Sequence, residues 1–331
     1  MNTGNVLIIG EPDGGKPANV TSQLVGGGRR LADTMGGRLG LFLPCRPDDN
    51  GLLPGGVDLV YVPESPLPPD NARALLPSVL ALVREEKPDL LLLPHTPTGR
   101  DLAAQLACRL QTGLAPGCTR LRFNEDRGQV EMNRPVHGGK ALEVSVSLST
   151  PAIATIQAGS MPAAASSGRV PAIRMIPVAG PPPAGPKVVK TTPDPASGPR
   201  LDQAPIVVCG GRGIGGPEGY AAIEKLARVL DGAAGASRPV CDHGWARPTA
   251  QIGITGKTVR PELYLALGVS GSTQHLAGCL GARTILAINR DPEAPIFRYA
   301  RYGLVADVHE ILPGLTAALE KRLAPPPSDE T

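Results

Sequence analysis

Nine of the 29 residues from Pro177 to Pro205 are proline (PVAGPPPAGPKVVKTTPDPASGPRLDQAP). A run of this composition cannot continue a helix and favours extended backbone. It therefore divides the chain into 1–176 and 206–331, with 177–205 between them. At 331 residues the chain is too long for one ordinary compact core and suits two domains of roughly 100–200 residues each. Two uses of the proline-rich segment stand open. It is either a plain spacer or an extended arm laid across a neighbouring domain or subunit, since VVK within it has strand character.

Both halves read as α/β. Before the prolines, the apolar clusters VLIIG, GLFL, VDLVYV and PDLLLLP alternate with segments able to hold helices, the pattern of a buried parallel sheet with covering helices. Leu75, Val79, Leu82 and Val83 recur at helical spacing, and Lys87-Pro88 ends that helix before PDLLLLP. HTPTGRDLAAQLACRL begins a second helix, with Thr98 or Asp101 as the expected cap. This half carries no evident chemistry. After the prolines, IVVC and RTILAIN read as buried strands, and GYAAIEKLARVLD as a helix with Ile223, Leu226, Ala227 and Leu230 on one face. Asp307 with Glu310 gives a capping-box-like start to a last helix bearing Val308, Ile311, Leu312 and Leu315. The expected fold is two doubly wound α/β domains, with any ligand at the carboxyl ends of the strands.

Composition excludes several classes. Apolar content of 41% with 19% charged residues indicates a globular chain, not a disordered one. A net charge of +3, with 25 Arg and 8 Lys scattered and never more than two in a row, gives no reason to invoke a nucleic-acid partner. The six cysteines lie 10 to 91 residues apart without a C-x-x-C pair, which argues against a zinc site or a disulfide framework. MNTGNVLIIG has no basic n-region and reads as a first strand, not a signal peptide. No apolar stretch approaches the ~20 residues that cross a bilayer. The expectation is a cytoplasmic protein without membrane insertion.

Candidate chemistry gathers at strand ends of the second half. Gly211 to Gly216 forms a G-x-G-x-x-G between strand and helix, which taken alone suggests a nicotinamide-dependent dehydrogenase. In a chain with 41 glycines that match is weak, and Asp242, 26 residues past Gly216, is late for a ribose ligand. Arg212 inside the loop is suited to grip phosphate, or is simply a solvated loop arginine. In GASRP, Ser237 stands beside Arg238, whose charge next to a redox ring would favour a negatively charged reduced state; an exposed loop arginine is the alternative. The turn QIGITGK, Gln251, Ile252, Gly253, Ile254, Thr255, Gly256 and Lys257, presents a threonine hydroxyl able to donate to a ring nitrogen. GVSGSTQH then supplies Ser270, Gly271, Ser272, Thr273, Gln274 and His275, with backbone N–H groups suited to a pyrophosphate. His275 faces either the ligand or the core. AINRDPEAP adds Asn289.

GGRGIGG, GASR, QIGITGK, PELYLALGVSGSTQHLAG, AINRDPEAPIF and YGLVADV occur in order between Ile206 and about Leu319. This stretch resembles the FAD-binding domain of the electron transfer flavoprotein alpha subunit, a family that includes the FixB-type proteins. The first half resembles the family more loosely, through PDLLLLPHTPTGRDLAAQLA and the GGKAL segment near Gly138 to Leu142. The resemblance implies a DHS-like, Rossmann-type domain holding one FAD. By it, Arg212, Ser237, Arg238, the Gln251 to Gly256 turn, the Ser270 to His275 loop, Asn289 and Asp307 surround the cofactor. Thr255 would meet flavin N5, His275 the pyrimidine carbonyl and Arg238 the ring, together favouring an anionic one-electron-reduced flavin. The loop at 270–275 would hold the pyrophosphate, and Asn289 and Asp307 would serve the adenosine end.

The resemblance also implies a heterodimer in which the first domain meets a beta subunit that completes the site and carries AMP or a second FAD. It further implies an electron carrier without an organic substrate of its own. Flavin dehydrogenases would be the donors, and a quinone oxidoreductase or a ferredoxin-type acceptor would receive the electrons; a bifurcating, FixB-like branch is the variant reading. Two departures stand out. Ile254 occupies a position where many members carry Gln, and His243 in CDHGW stands where a small residue is commoner.

Overall fold

The computed structural model describes residues 4–47, 53–139, 141–164, 171–180, 190 and 199–323. The chain divides into two compact units, Met1–Thr191 and Thr192–Thr331. Val188 and Val189 of the VVK segment, with most of the proline-rich stretch, lie outside the described residues.

In the first unit β1 (Val6–Ile9) is followed by a two-residue ribbon, β2 (Pro12–Asp13) and β3 (Lys16–Pro17), and by α1 (Asn19–Met35). Next come β4 (Leu39–Phe42), β5 (Leu59–Pro63), α2 (Ala72–Glu86), β6 (Leu90–Pro94) and α3 (Pro97–Leu110). Then follow β7 (Leu114–Cys118), β8 (Arg120–Asn124), β9 (Gln129–Val136), β10 (Ala141–Ser145), β11 (Ala152–Ile156) and β12 (Ala172–Ile176). Seven strands form one parallel sheet in the order β12-β5-β4-β1-β6-β11-β7. Its strands are near-continuous apolar runs because both faces are covered: Leu90, Leu91, Leu92 and Leu93 are all fully buried.

Two details depart from expectation. The cap of α3 is Thr96, whose Oγ accepts from Gly99 N at 2.9 Å. Neither Thr98 nor Asp101 serves, because Pro97 takes the first helical position, where its missing N–H costs nothing. β8, β9 and β10 also form a separate antiparallel sheet, with β10 at its edge.

The second unit contains β13 (Ile206–Gly210), α4 (Pro217–Val229), β14 (Ala233–Ala236), α5 (Arg238–Asp242), β15 (Leu263–Leu267), α6 (Thr273–Cys279), β16 (Thr284–Asn289), β17 (Tyr302–Val305) and α7 (Val308–Leu323). Its sheet is wholly parallel in the order β14-β13-β15-β16-β17. Within the unit this is the 2-1-3-4-5 order of flavodoxin-like doubly wound sheets, not the six-stranded 3-2-1-4-5-6 arrangement. Successive residues of each strand face opposite sides. Val207, Tyr264 and Ala266 enter one core and Val208, Leu265 and Leu267 the other. Ile223, Leu226 and Ala227 of α4 and Val308 and Leu312 of α7 are buried in that second core. The strand order reverses beside β13, and in open α/β sheets ligands bind in the crevice at the carboxyl ends around such a point.

Candidate FAD-binding site

The candidate cofactor residues lie at the carboxyl ends of this second sheet or in the connections, α5 and α6 included, that leave those ends. The loop after β13 is pressed against the loop after β15. Gly211 N donates to the Leu267 carbonyl at 2.8 Å, and Gly213 N to the Gly268 carbonyl at 3.1 Å. A Cβ on Gly211 would stand 2.2 Å from the Gly268 oxygen. The first two glycines of the G-x-G-x-x-G are therefore consumed by close packing of two protein loops. The following Gly215, Gly216 and Pro217 line a groove of about 770 Å³ between the starts of α4 and α7, together with His309 and Leu312. None of the candidate site residues lines that groove, although its wall at Val308 directly follows Asp307.

The QIGITGK turn is tied at both ends. Ile252 N donates to the Ala236 carbonyl at the end of β14 (2.9 Å), and Lys257 N closes the turn onto the Gln251 carbonyl (2.7 Å). Ile254 N donates to the Gln274 carbonyl in the first turn of α6 (2.8 Å). Gly253 has φ of 141°, backbone that side-chain-bearing residues rarely adopt, and a Cβ there would stand 2.9 Å from that same Gln274 oxygen. Ile252 is buried, whereas Ile254 is 69% exposed. Gln251 Nε2 donates to Thr255 Oγ1 at 2.9 Å, which orients an exposed hydroxyl.

The loop after β15 presents Ser270, Ser272, Thr273 and Gln274 to solvent. Gly271 turns it at φ 82° against Ile296, whose N–H donates to the Ser270 carbonyl at 3.0 Å. Ser272 caps α6, its Oγ accepting from His275 N. The His275 ring points inward and is only 5% exposed. Its Nε2 lies 2.9 Å from the Tyr264 hydroxyl and 3.9 Å from Cys209 Sγ. Its Nδ1 is buried without a hydrogen-bond partner among the described residues. Burial holds the His275 pKa down to about 4; the Ile252 backbone pulls weakly the other way while falling short of hydrogen-bond geometry. The ring is thus neutral at pH 7. Neither Tyr264 nor Cys209 is marked in the sequence as a neighbour of His275. The available signal was a tyrosine in an otherwise apolar buried strand, since a buried Tyr O–H usually finds a partner.

The remaining residues divide by what their side chains already do. Ser237 is buried, and its N–H donates to the Gly210 carbonyl at 2.9 Å. Arg238 opens α5, is exposed, and pairs loosely with Asp242 at 3.3 Å. Arg212 is exposed in the turn after β13. Asn289 is buried and already engaged: its Nδ2 donates to the Val269 carbonyl at 2.9 Å and its Oδ1 accepts from Asp291 N at 3.0 Å. Asp307 caps α7 by accepting from His309 N at 2.8 Å. His243 stacks on Trp245, with ring centroids 5.0 Å apart.

The arrangement is an edge with two exposed guanidiniums, a row of hydroxyls and a buried imidazole with one nitrogen unspent. It fits a ligand that has a diphosphate and a polar ring. Residues 200–280 match the family model described as electron transfer flavoprotein FAD-binding domain, and residues 6–193 the one described as electron transfer flavoprotein domain.

The chain belongs to the electron transfer flavoprotein alpha-subunit family.

Its cofactor is FAD. It is 37% identical over 326 residues to "Electron transfer flavoprotein subunit alpha" of Thermoanaerobacterium thermosaccharolyticum, covering 96% of this chain and 98% of the relative. It is 38% identical over 338 residues to "Protein FixB" of Azorhizobium caulinodans, covering 97% and 90%. The alpha subunit of Bacillus subtilis is 36% identical over 319 residues, covering 94% and 96%. Asn289 and Asp307 lie beyond the span matched by the FAD-binding model. Among the described residues no helix is long and apolar enough to cross a membrane.

Proposed function

We propose that this chain holds FAD along the carboxyl edge of its second sheet and, joined to a beta subunit, carries electrons from flavin dehydrogenases to a quinone oxidoreductase or a ferredoxin-type acceptor. It works in the cytoplasm and takes no organic substrate of its own. The observation that carries this reading is His275, a buried neutral imidazole whose Nδ1 has no hydrogen-bond partner among the described residues. Burying a polar N–H unpaired costs about 1–3 kcal/mol, and an acceptor on a bound ring removes that cost.

When bound, FAD supplies the redox chemistry, and the chain supplies position and field. Thr255, oriented by Gln251, would face flavin N5, while His275 Nδ1 would meet the pyrimidine carbonyl. Arg238 at the start of α5 and Arg212 in the turn after β13, both exposed, would put positive charge beside the ring and the diphosphate. Ser270, Gly271, Ser272, Thr273 and Gln274 would surround the diphosphate with hydroxyls and amides, and Ile252, Gly253 and Gly256 would shape the floor under the ring. Ser237 would line the bend between β14 and α5. Asn289 and Asp307 would act at the adenosine end chiefly by holding the Val269 loop and the start of α7, since their side chains are engaged there.

The edge strand β10 supports a place for the beta subunit. Leu142 and Val144 on this strand, and Val146 and Leu148 just after it, recur at every second residue and are all exposed, while Glu143 pairs with Arg134 through two 3.0 Å contacts. An exposed apolar stripe on an edge strand is a docking surface or an aggregation hazard.

Co-expression with the beta subunit tests the whole reading. A yellow heterodimer whose visible band bleaches with a reduced flavin dehydrogenase or with dithionite is the expected result. A colourless heterodimer that takes up no added FAD would defeat it.

A further inference from the structure

We propose that Tyr264 is a positioning residue of the flavin site: its hydroxyl fixes His275 as the Nδ1–H tautomer, so that the imidazole nitrogen without a partner among the described residues is a hydrogen-bond donor. The inference rests on the reading that His275 faces the cofactor.

The geometry leaves His275 one strong internal partner. The Tyr264 hydroxyl lies 2.9 Å from Nε2, and Tyr264 itself is fully buried in β15. Cys209 and Cys279 flank the same hydroxyl. Both are fully buried, and burial pushes the Cys279 thiol up to about 12 and the Cys209 thiol higher still, so each stays S–H. A thiol is a weak donor and a weak acceptor. Of the groups around the tyrosine O–H, the Nε2 lone pair is therefore the best acceptor. With the Tyr264 proton directed at Nε2, the single proton of the neutral imidazole belongs on Nδ1.

The opposite tautomer is worse at both nitrogens. Nε2–H would donate to the tyrosine oxygen and leave the phenolic proton only a thiol to meet. Nδ1 would then present a bare buried lone pair, while the Ile252 backbone favours the protonated form of the ring. The doubly protonated ring is disfavoured by burial. Tyr264 thus does at Nε2 what a carboxylate or carbonyl commonly does for a functional histidine, setting which nitrogen carries the proton, but from the acceptor's other side: it donates. An Nδ1–H directed at an electron-rich ring carbonyl interacts more strongly as negative charge develops there.

The test uses the full chain co-expressed with its beta subunit and labelled with ¹⁵N-histidine. Long-range ¹H–¹⁵N spectra are recorded at pH 7 with and without FAD, and the His275 signals are assigned by their loss in His275→Gln. The expected wild-type spectrum shows Nδ1 protonated and Nε2 bare in both states, with Nδ1 shifting when FAD is added. Tyr264→Phe is expected to convert His275 to a mixture or to Nε2–H. The same variant should weaken stabilisation of the reduced ring threefold to tenfold, a fall in potential of about 30 to 60 mV for a one-electron couple. A wild-type ring protonated on Nε2 overturns the proposal, and so does Tyr264→Phe with the tautomer and potential unchanged. The wild-type spectrum decides the matter even where Tyr264→Phe fails to fold. An Nδ1–H signal unmoved by FAD that demonstrably binds would instead overturn the flavin-facing reading of His275 and leave the Tyr264 hold on the ring intact.

Discussion

The backbone N–H of Ile254 donates to the carbonyl of Gln274 across 2.8 Å. This bond joins the QIGITGK turn, which carries Thr255, to the first turn of α6, which carries His275. The joint requires Gly253, whose φ of 141° and clearance from that same carbonyl oxygen admit no side chain without strain. Gly253→Ala is expected to cost about 1–3 kcal/mol. Its urea midpoint should fall at constant m, and its retention of FAD through gel filtration should fall with it.

Arg238 separates binding from folding. It is exposed, and its contact with Asp242 is a 3.3 Å surface pair, a type that contributes about 0–1 kcal/mol. Arg238→Ala should therefore unfold within ~0.5 kcal/mol of wild type. The flavin's reduction potential should nevertheless fall, because a positive charge beside the ring favours its reduced, negatively charged form. The exposed Ile254 gives the complementary test. Ile254→Gln should likewise leave stability within ~0.5 kcal/mol while altering the flavin's visible spectrum, read directly on the purified heterodimer.

What the chain reveals before folding follows from how parallel sheets are built. Strands buried on both faces are uninterrupted apolar runs, so PDLLLLP and RTILAIN declare themselves, and in the second unit the segments after the strands hold the candidate ligand groups. The antiparallel β8–β10 sheet is harder to read, because RLRFN and ALEVS alternate polar and apolar residues over only five positions each. Thr96 was obscured as a cap by the proline after it, which marks a helix start as readily as a helix stop. The glycine fingerprint misleads for a different reason: Gly211 and Gly213 answer to the neighbouring Gly268 loop, a contact between segments more than 50 residues apart. The Tyr264–His275 pair is likewise tertiary. One residue lies on a strand and the other on a helix, and no periodicity links them.

Acid should weaken both units through histidines whose pKa the fold holds down. Burial holds His275, and burial with the nearby Arg100 charge holds His95, at about 4 against an ordinary 6.5. Because the folded pKa is the lower, the folded state binds fewer protons than the unfolded one between those values. Stability is thus full above about pH 6.5, declines as pH falls toward about 4, and loses nothing more from these rings below that. For His275 the whole effect is about 3 kcal/mol. Trp245, the only tryptophan, packs in the second unit, so its fluorescence in urea reports that unit alone. The slope of unfolding free energy against pH between 6.5 and 4 should drop by up to one proton in His275→Gln and remain as in wild type in His95→Gln. An unchanged slope in His275→Gln would show that the ring is hydrated and titrates normally.

The apolar stripe on β10 makes the last prediction. Leu142 and Val144 are more than half exposed and point away from the Arg134–Glu143 pair on the opposite face, so neither supports the fold of the isolated chain. Replacing both by aspartate should leave thermal unfolding of the chain nearly unchanged, since surface substitutions away from special features stay within about 0.5 kcal/mol. If the stripe is where the beta subunit sits, two charges buried without partners would weaken the heterodimer at least 10- to 100-fold, or about 1.4–2.8 kcal/mol. Titration of the beta subunit against labelled wild-type and doubly substituted chains reads this directly. Equal affinities would move the subunit interface off β10. Loss of assembly together with loss of the isolated chain's own cooperative unfolding would show instead that the stripe is folded against the unit's interior.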